Sequence, residues 1–258
     1  MPSVKWGGLP YLFSQHLESQ TSNHDAMSVT LFMPVLNEID GLRAILPQIN
    51  RQWFNQILMV DGGSRDGSVE VAREHGIEVY VQKKRGIRHA YIEAWPLVRG
   101  DVVITFSPDG NCPPEALPKL IDALNGHDMV VASRYLGPAH SEDDDAMTGM
   151  GNWMFTRLIN VLHGGHYTDA MGIYRCYRSS LFYSLDLDKD ESYAPEKLCG
   201  TIIGIEPLLS VRSAKKRLRI GEIPVNEPAR IAGQRKLQMF RWGMAYLLQV
   251  FRELYHWR

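Results

Sequence analysis

Three cysteines stand in 258 residues, Cys112, Cys176 and Cys199, and none shares the short spacing of a metal-ligand set. Their odd number argues against a disulfide framework. A reducing cytosol is the simpler setting. Long apolar runs are missing too. The first residues, MPSVKWGGLPYLFSQHLESQ, lack the basic start and apolar stretch of a signal peptide. WGMAYLLQVF, near the C-terminus, is half of the roughly 20 residues a spanning helix needs. The expectation is a soluble or peripheral protein of the cytoplasm. Neither sign of charge dominates, with 28 Lys/Arg against 29 Asp/Glu, so the whole molecule is not a simple polyanion binder. There is no Gly-x-Ser-x-Gly elbow, no His-Glu-x-x-His and no Walker A loop. The histidines are scattered, and His163 and His166 read as surface or core residues.

What is present alternates. Apolar runs at Val29–Met33, Gln56–Val60, Ile77–Val81, Asp101–Phe106 and Met129–Ser133 read as strands. Helical patterns separate them: one through Leu42, Ile45, Leu46 and Ile49, then Ser68–Glu74, His89–Val98 and Pro114–Leu124. Short buried strands alternating with helices predict βαβ units and a mostly parallel sheet flanked by helices. The second half is less regular. It offers helices at Gly151–Leu162 and Glu206–Ala214, a strand at Ile220–Val225 and a helix from Leu237. That last helix puts Phe240, Met244, Leu247, Leu248, Phe251 and Tyr255 on one broad face. The expected division is an extension over 1–26, a main domain over 27–240 and an amphipathic C-terminal helix over 241–258.

Ligands of such sheets sit at the carboxyl ends of the strands. Here those ends read PVLNE, DGGSRDG, SPDGN and SRY. Taken singly, each has a plain structural reading. Asp61 can hold a base or ribose, or can shape a strand–helix turn. Glu38 can contact a ribose, or favour the start of a helix. Lys83-Lys84-Arg85-Gly86-Ile87-Arg88 can bind a diphosphate at a helix start, or be a solvated charge run. Asp109 and Asn111 supply the oxygen ligands that suit Mg²⁺ or Mn²⁺, yet Pro-Asp-Gly is also a turn sequence. Arg230, Arg235 and Lys236 surround a glycine and suit a phosphate, or form a basic surface loop. Four polar strand ends converging on one crevice is the stronger signal.

The ordered set PVLNE, VDGGSRDGS, the basic RG loop, PDGNCPPE and ASRY resembles the family 2 glycosyltransferases, which have the GT-A fold: a Rossmann-like, mostly parallel α/β sheet. Asp169-Ala-Met-Gly-Ile-Tyr-Arg-Cys-Tyr177, Glu222-Ile-Pro-Val225 and the Arg230–Lys236 loop are similar to the dolichyl- or polyprenyl-phosphate sugar synthases. The resemblance spans about residues 28–240. It implies that Pro34, Leu36 and Glu38 line the nucleotide pocket, with Ser107 and Pro108 beside them. Asp61 and Gly62 would hold the base and ribose, and Arg85 would lie near the diphosphate. Asp109 matches the second aspartate of the metal motif, with Asn111 the polar residue two further on. Arg134 would lie close to the transferred group, and Arg230, Arg235 and Lys236 would face the acceptor phosphate. Three positions depart from the pattern: Ser107 for the first metal-motif aspartate, Asp61-Gly62 for Asp-Asp, and Arg235-Lys236 for Ser-Lys. With Ser107 a neutral ligand at best, donor diphosphate would have to supply much of the metal coordination.

The implied reaction is inverting transfer from a nucleoside-diphosphate sugar, of GDP-mannose or UDP-glucose type, to a lipid phosphate. Arg212–Arg258 carries eleven Lys/Arg against three Asp/Glu. With its aromatics, this tail suits a membrane surface at the cytoplasmic face, and equally a solvated helix face, core packing or single-stranded nucleic acid. Two other readings stay open. A hydroxyl acceptor would need a base, for which Asp169 or Glu206 is available. A catalytically weak nucleotide-sugar binder would explain Ser107.

Overall fold

The computed structural model describes residues 27–231 and 239–257. Seven strands form one sheet among these residues: β1 (Val29–Val35), β2 (Gln56–Asp61), β3 (Glu78–Val81), β4 (Val102–Thr105), β5 (Met129–Ser133), β6 (Arg175–Arg178) and β7 (Ile220–Pro224). The order across the sheet is β3-β2-β1-β4-β6-β5-β7. Strand β6 runs antiparallel to both β4 and β5, and the other four pairings are parallel. The sheet is therefore mostly parallel, as expected. Sequence reasoning assigned no strand to β6, because Arg175-Cys-Tyr-Arg178 has charge at both ends. Its Arg175 is fully buried all the same, donating to Gly172 O, Ala170 O, Glu206 O and Ser210 Oγ.

The helices are α1 (Ile39–Ile45), α2 (Ser68–Glu74), α3 (Ile87–Ala94), α4 (Leu117–Ala123), α5 (Ala146–His163), α6 (Leu181–Ser184), α7 (Ala194–Cys199), α8 (Glu206–Lys215) and α9 (Met239–Arg252). Two differ usefully from expectation. The run read as one helix to Val98 ends at Ala94 and tightens into a 3-10 turn over Trp95–Leu97. Pro96 has no N–H to continue the α-helical ladder. Helix α5 starts five residues before Gly151, because Asp145 caps it: its side chain accepts from Thr148 N at 2.8 Å.

Strand β1 is buried on both faces, and alternate residues feed two cores. Phe32 joins Leu58, Tyr91, Trp95, Val103 and Tyr177 on one side. Leu31 and Met33 join Leu42, Ile45, Met59 and Ile104 on the other. Trp95 stacks on Phe182 with centroids 4.2 Å apart. All three cysteines are free thiols.

The C-terminal helix departs most from its sequence pattern. Helix α9 begins at Met239, inside the expected main domain, and its buried face carries Ala245, Tyr246, Gln249, Val250 and, just beyond its end, Glu253. Glu253 is fully buried and receives Arg212 Nε and Nη2 at 3.0 Å. The buried carboxylate of Glu253 is tolerable because this pair satisfies it. The broad apolar face turns outward instead: Phe240 is 88 % exposed, and Met244, Phe251 and Tyr255 are exposed too. Among the described residues no helix is long and apolar enough to cross a membrane.

Candidate active site

The chain reverses direction across the sheet between β1 and β4, where β2 and β3 lie on one side and β6, β5 and β7 on the other. A crevice opens there at the strands' carboxyl ends, as such sheets require. Its floor is stitched by hydrogen bonds between the loops after β1 and β2. Asn37 N donates to Ser64 Oγ at 2.8 Å and Ile39 N to Asp66 Oδ2 at 3.0 Å. In return Arg65 N donates to Asn37 Oδ1 at 2.8 Å. Asn37 sits at φ +52°, in the left-handed region that asparagine tolerates. Asp61 is buried, and its carboxylate accepts from Gly63 N and Ser64 N. Its turn-forming role is thus visible, and it still lines the cleft.

The cleft has a volume of about 1240 Å³. Pro34, Leu36, Glu38, Asp61, Gly62, Arg85, Ser107 and Asp109 all reach it, gathering the expected nucleotide-pocket residues except Pro108. Arg65 and Arg73 line it as well, two cations that sequence reasoning did not single out. The basic loop divides. Arg85 faces the cleft, whereas Arg88 is buried, donates to both Glu196 oxygens and to Asp190, and lies over the Tyr193 ring. The loop carrying Arg88 reads as a diphosphate site or a solvated charge run, and Arg88 fits neither. It is a structural ion-pair residue instead, because its position one residue into α3 turns it toward α7.

Beyond β4 the chain turns through Ser107–Asn111. Cys112 Sγ accepts from Ser107 N, and Asp109 Oδ1 accepts from Asn111 N at 3.1 Å. Gly110 holds φ +102°, and a Cβ there would stand 2.6 Å from Ile231 Cγ1. Only glycine lets this turn meet the strap carrying Arg230. The two are docked by Ile231 N donating to Asp109 O at 2.8 Å. Arg230 Nη1 donates to Asp109 Oδ2 at 2.8 Å and its Nη2 to Asp143 Oδ2 at 3.3 Å. Asn111 Nδ2 donates to the same Asp143 oxygen at 2.9 Å. Arg235 and Lys236, expected to continue this cationic strap, lie outside the described residues.

Next to this stands a second ionic cluster. Arg134 Nε donates to Asp169 Oδ2 at 2.7 Å, and its Nη1 lies 3.2 Å from Glu227 Oε2 and 3.6 Å from Asp144 Oδ2. Burial by itself would raise the Asp169 carboxyl. The adjoining Arg134 charge and hydrogen bonds from Arg134 and Asn152 outweigh it and hold its pKa below the ordinary aspartate value. For Glu227 the balance goes the other way: burial outweighs Arg134, and its pKa is raised. Burial and the hydrogen bond to Asp144 push the Tyr135 hydroxyl to about 12. Asp169 also accepts from Met171 N and Gly172 N. Saturated with donors and held ionised, it is poorly placed to act as a base. Glu206, the other base candidate, is buried and accepts from Tyr91 Oη at 2.7 Å.

A second cavity of about 850 Å³ lies between α5, α9 and this cluster. Its walls are largely apolar, with Met147, Met150, Trp153 and Met154 from α5 and Phe240, Met244 and Leu247 from α9. Met150 is 65 % and Trp153 67 % exposed. Ser107, Asp109, Arg230 and Trp242 line both cavities, so the polar cleft and the apolar cavity meet at the Asp109–Arg230 pair.

Among the described residues no three His, Cys, Asp or Glu side chains form a ready metal cage. The donors near Asp109 nonetheless fit a hard cation. They are carboxylate and amide oxygens, and Asn111 Oδ1 is buried with no hydrogen-bond partner. A cation that keeps sites for phosphate and water needs few protein ligands.

The profile of "Glycosyl transferase family 2" matches residues 30–186. An undecaprenyl-phosphate mannosyltransferase of Micrococcus luteus is 28% identical over 85% of this chain and 95% of its own. A dolichyl-phosphate hexose transferase of Haloferax volcanii is 29% identical over 84% of this chain and 90% of its own. Among solved structures, glucosyl-3-phosphoglycerate synthase of Mycobacterium tuberculosis, in complex with Mn²⁺, UDP and glucosyl-3-phosphoglycerate, superposes with a TM-score of 0.64. That match covers 87% of this chain and 80% of the other at 19% identity.

Proposed function

Because the chain belongs to glycosyl transferase family 2, we propose that it moves a sugar from a nucleoside-diphosphate sugar to a polyprenyl phosphate, with inversion, at a membrane surface. The observation that carries this reading is the meeting of a polar cleft and an apolar cavity at Asp109 and Arg230. A donor built of base, ribose, diphosphate and sugar suits the first. An acceptor with one phosphate and a long hydrocarbon suits the second. The full-length relatives in Micrococcus luteus and Haloferax volcanii, named for undecaprenyl- and dolichyl-phosphate, support the same acceptor class.

In this reading Asp61, Gly62, Pro34, Leu36 and Glu38 hold the base and ribose, with Ser107 and Pro108 closing the pocket, and Arg85 faces the diphosphate. Asp109 and Asn111 hold Mg²⁺ or Mn²⁺; the Mn²⁺–UDP complex of the Mycobacterium tuberculosis structure supports a divalent metal. When bound, the metal supplies positive charge opposite the departing diphosphate. Arg230, with Arg235 and Lys236, positions the acceptor phosphate. Its oxyanion attacks the anomeric carbon as the bond to the diphosphate oxygen breaks, and the nucleoside diphosphate leaves with that electron pair. An ionised phosphate needs no general base, which agrees with Asp169 being committed to Arg134. Arg134 lines the acceptor cavity and, through Glu227 and Asp144, keeps its charged wall in place. The exposed apolar faces of α5 and α9 would rest in the bilayer interface and admit the lipid.

The test is transfer of radiolabelled sugar from GDP-mannose and UDP-glucose to a polyprenyl phosphate in vesicles with Mn²⁺. Extractable glycosyl lipid is expected. Label that goes only to water-soluble hydroxyl acceptors, with none in the lipid, overturns the acceptor assignment. The donor is found by thermal shift, since the true nucleotide sugar stabilises the fold by mass action.

A further inference from the structure

The Ser107–Asn111 turn presents one carboxylate where the resemblance led us to expect two. A second reaches the same place from far along the chain. Asp143 belongs to the acidic run Ser141–Asp145, which precedes α5, and the donor and acceptor roles above leave Asp143 itself unused. The run folds back onto the turn. Asp143 Oδ2 receives Asn111 Nδ2 at 2.9 Å, and one guanidinium, that of Arg230, spans Asp143 Oδ2 and Asp109 Oδ2. The two carboxylates are thus already brought onto a single cation. Both are partly shielded, with side chains 16 % and 9 % exposed. Asn111, whose Nδ2 meets Asp143, also has a buried Oδ1 with no hydrogen-bond partner.

We propose that Asp143 is the second carboxylate of the divalent-cation site, in place of the one Ser107 lacks, and that Arg230 occupies the position until the cation displaces it. The inference rests on the reading of Asp109 as the metal-holding residue. Carboxylate oxygens are the ligands Mg²⁺ and Mn²⁺ prefer, and a guanidinium bridging two carboxylates is held by charge-assisted hydrogen bonds that a divalent cation can replace. Displacement does more than clear the site. It frees Arg230 from Asp109 and Asp143 for the acceptor phosphate, so cation arrival on the donor side prepares the acceptor side. A merely structural Asp143 would hold the strap and contribute nothing to metal choice.

The experiment measures Mn²⁺ binding to the full chain by electron paramagnetic resonance of the free ion, first alone and then with UDP or GDP. Asp109→Asn and Asp143→Asn are each expected to weaken binding at least tenfold. Glu142→Gln, which removes the same charge one residue away, should change it less than twofold. Arg230→Gln should tighten binding at least fivefold, and Arg65→Gln, the same loss of charge on the cleft wall, should not. Coordination itself is read by Asp143→Cys. A thiolate in the site favours the softer Cd²⁺, so the Cd²⁺/Mn²⁺ affinity ratio should rise more than tenfold, and Glu142→Cys should leave it unchanged. Thermal melting of each variant reports folding independently. If Asp109→Asn abolishes binding and neither Asp143 variant differs from its Glu142 control, the proposal falls and the Asp109 reading stands. If Arg230→Gln binds Mn²⁺ no more tightly than the natural chain, the displacement half falls. If the natural chain binds no Mn²⁺ even with nucleotide, the metal-dependent reading falls and takes this proposal with it.

Discussion

The donor and acceptor sides of the site are built by different physics. On the donor side, the loops after β1 and β2 are fixed by backbone N–H groups donating to side-chain oxygens of Ser64, Asp66, Asn37 and Asp61. On the acceptor side, Arg134, Arg230 and five carboxylates hold together segments more than eighty residues apart, and apolar helix faces stand open to solvent. Hydrogen bonds between two adjacent strand-end loops give a cleft of fixed shape, suited to one donor chemistry. Long-range ion pairs give a wall whose partners can be exchanged, suited to a site that must admit a metal, a phosphate and a lipid in turn.

This contrast can be broken at several points. Asp109→Ala acts where the sides meet. It removes several kcal/mol of charge stabilisation and should lower kcat/KM by about a thousandfold, measured with saturating Mn²⁺. Next, Arg134→Ala leaves Asp169 and Glu227 facing a buried site without their partner. Chemical denaturation should show a loss of about 3 kcal/mol. Because the folded pKa of Asp169 is depressed, the stability it contributes is present above the unfolded value and lost as pH falls through the folded one. Acid titration of the natural chain should therefore show unfolding below about pH 4, and the variant should lack this component. A smaller effect is expected from Asp61→Ala, which strips the turn N–H groups of Gly63 and Ser64 of their acceptor. A cost of about 1–2 kcal/mol should appear as a roughly tenfold rise in donor KM, with acceptor KM unchanged. Trp153→Ser with Phe240→Ser, on exposed faces, should move stability by only about 0.5 kcal/mol. That double variant should weaken vesicle binding and raise KM for long polyprenyl phosphates while sparing donor KM. If donor KM rises in the same proportion, the two sides are not separable as described.

Legibility followed the same division. The strands β1 to β5 and the helices between them were readable, because buried parallel strands and amphipathic helices write their periods into contiguous residues. The cleft residues Pro34, Leu36, Glu38, Asp61 and Asp109 were readable as strand ends of that pattern, whereas Arg65 and Arg73 were not. Strand β6 was not, since its buried Arg175 is made tolerable in part by Glu206 O and Ser210 Oγ, more than thirty residues further along the chain. The ion-pair role of Arg88 was not legible, as its partners Glu196 and Asp190 lie about a hundred residues away. The acidic run at 141–145 was visible as charge, but its fold onto Asn111 spans 32 residues.

The sequence by itself determined the layered α/β architecture, the polar strand ends and the identity of the turn holding Asp109, because each depends on residues close together in the chain. Tertiary structure alone decided which charges neutralise one another, which face of α9 turns outward, and that Asp143 and Arg230 meet Asp109. Those outcomes depend on burial and on electrostatic pairing across the fold, where a residue's partner, and not its neighbour in sequence, sets the energy of its position.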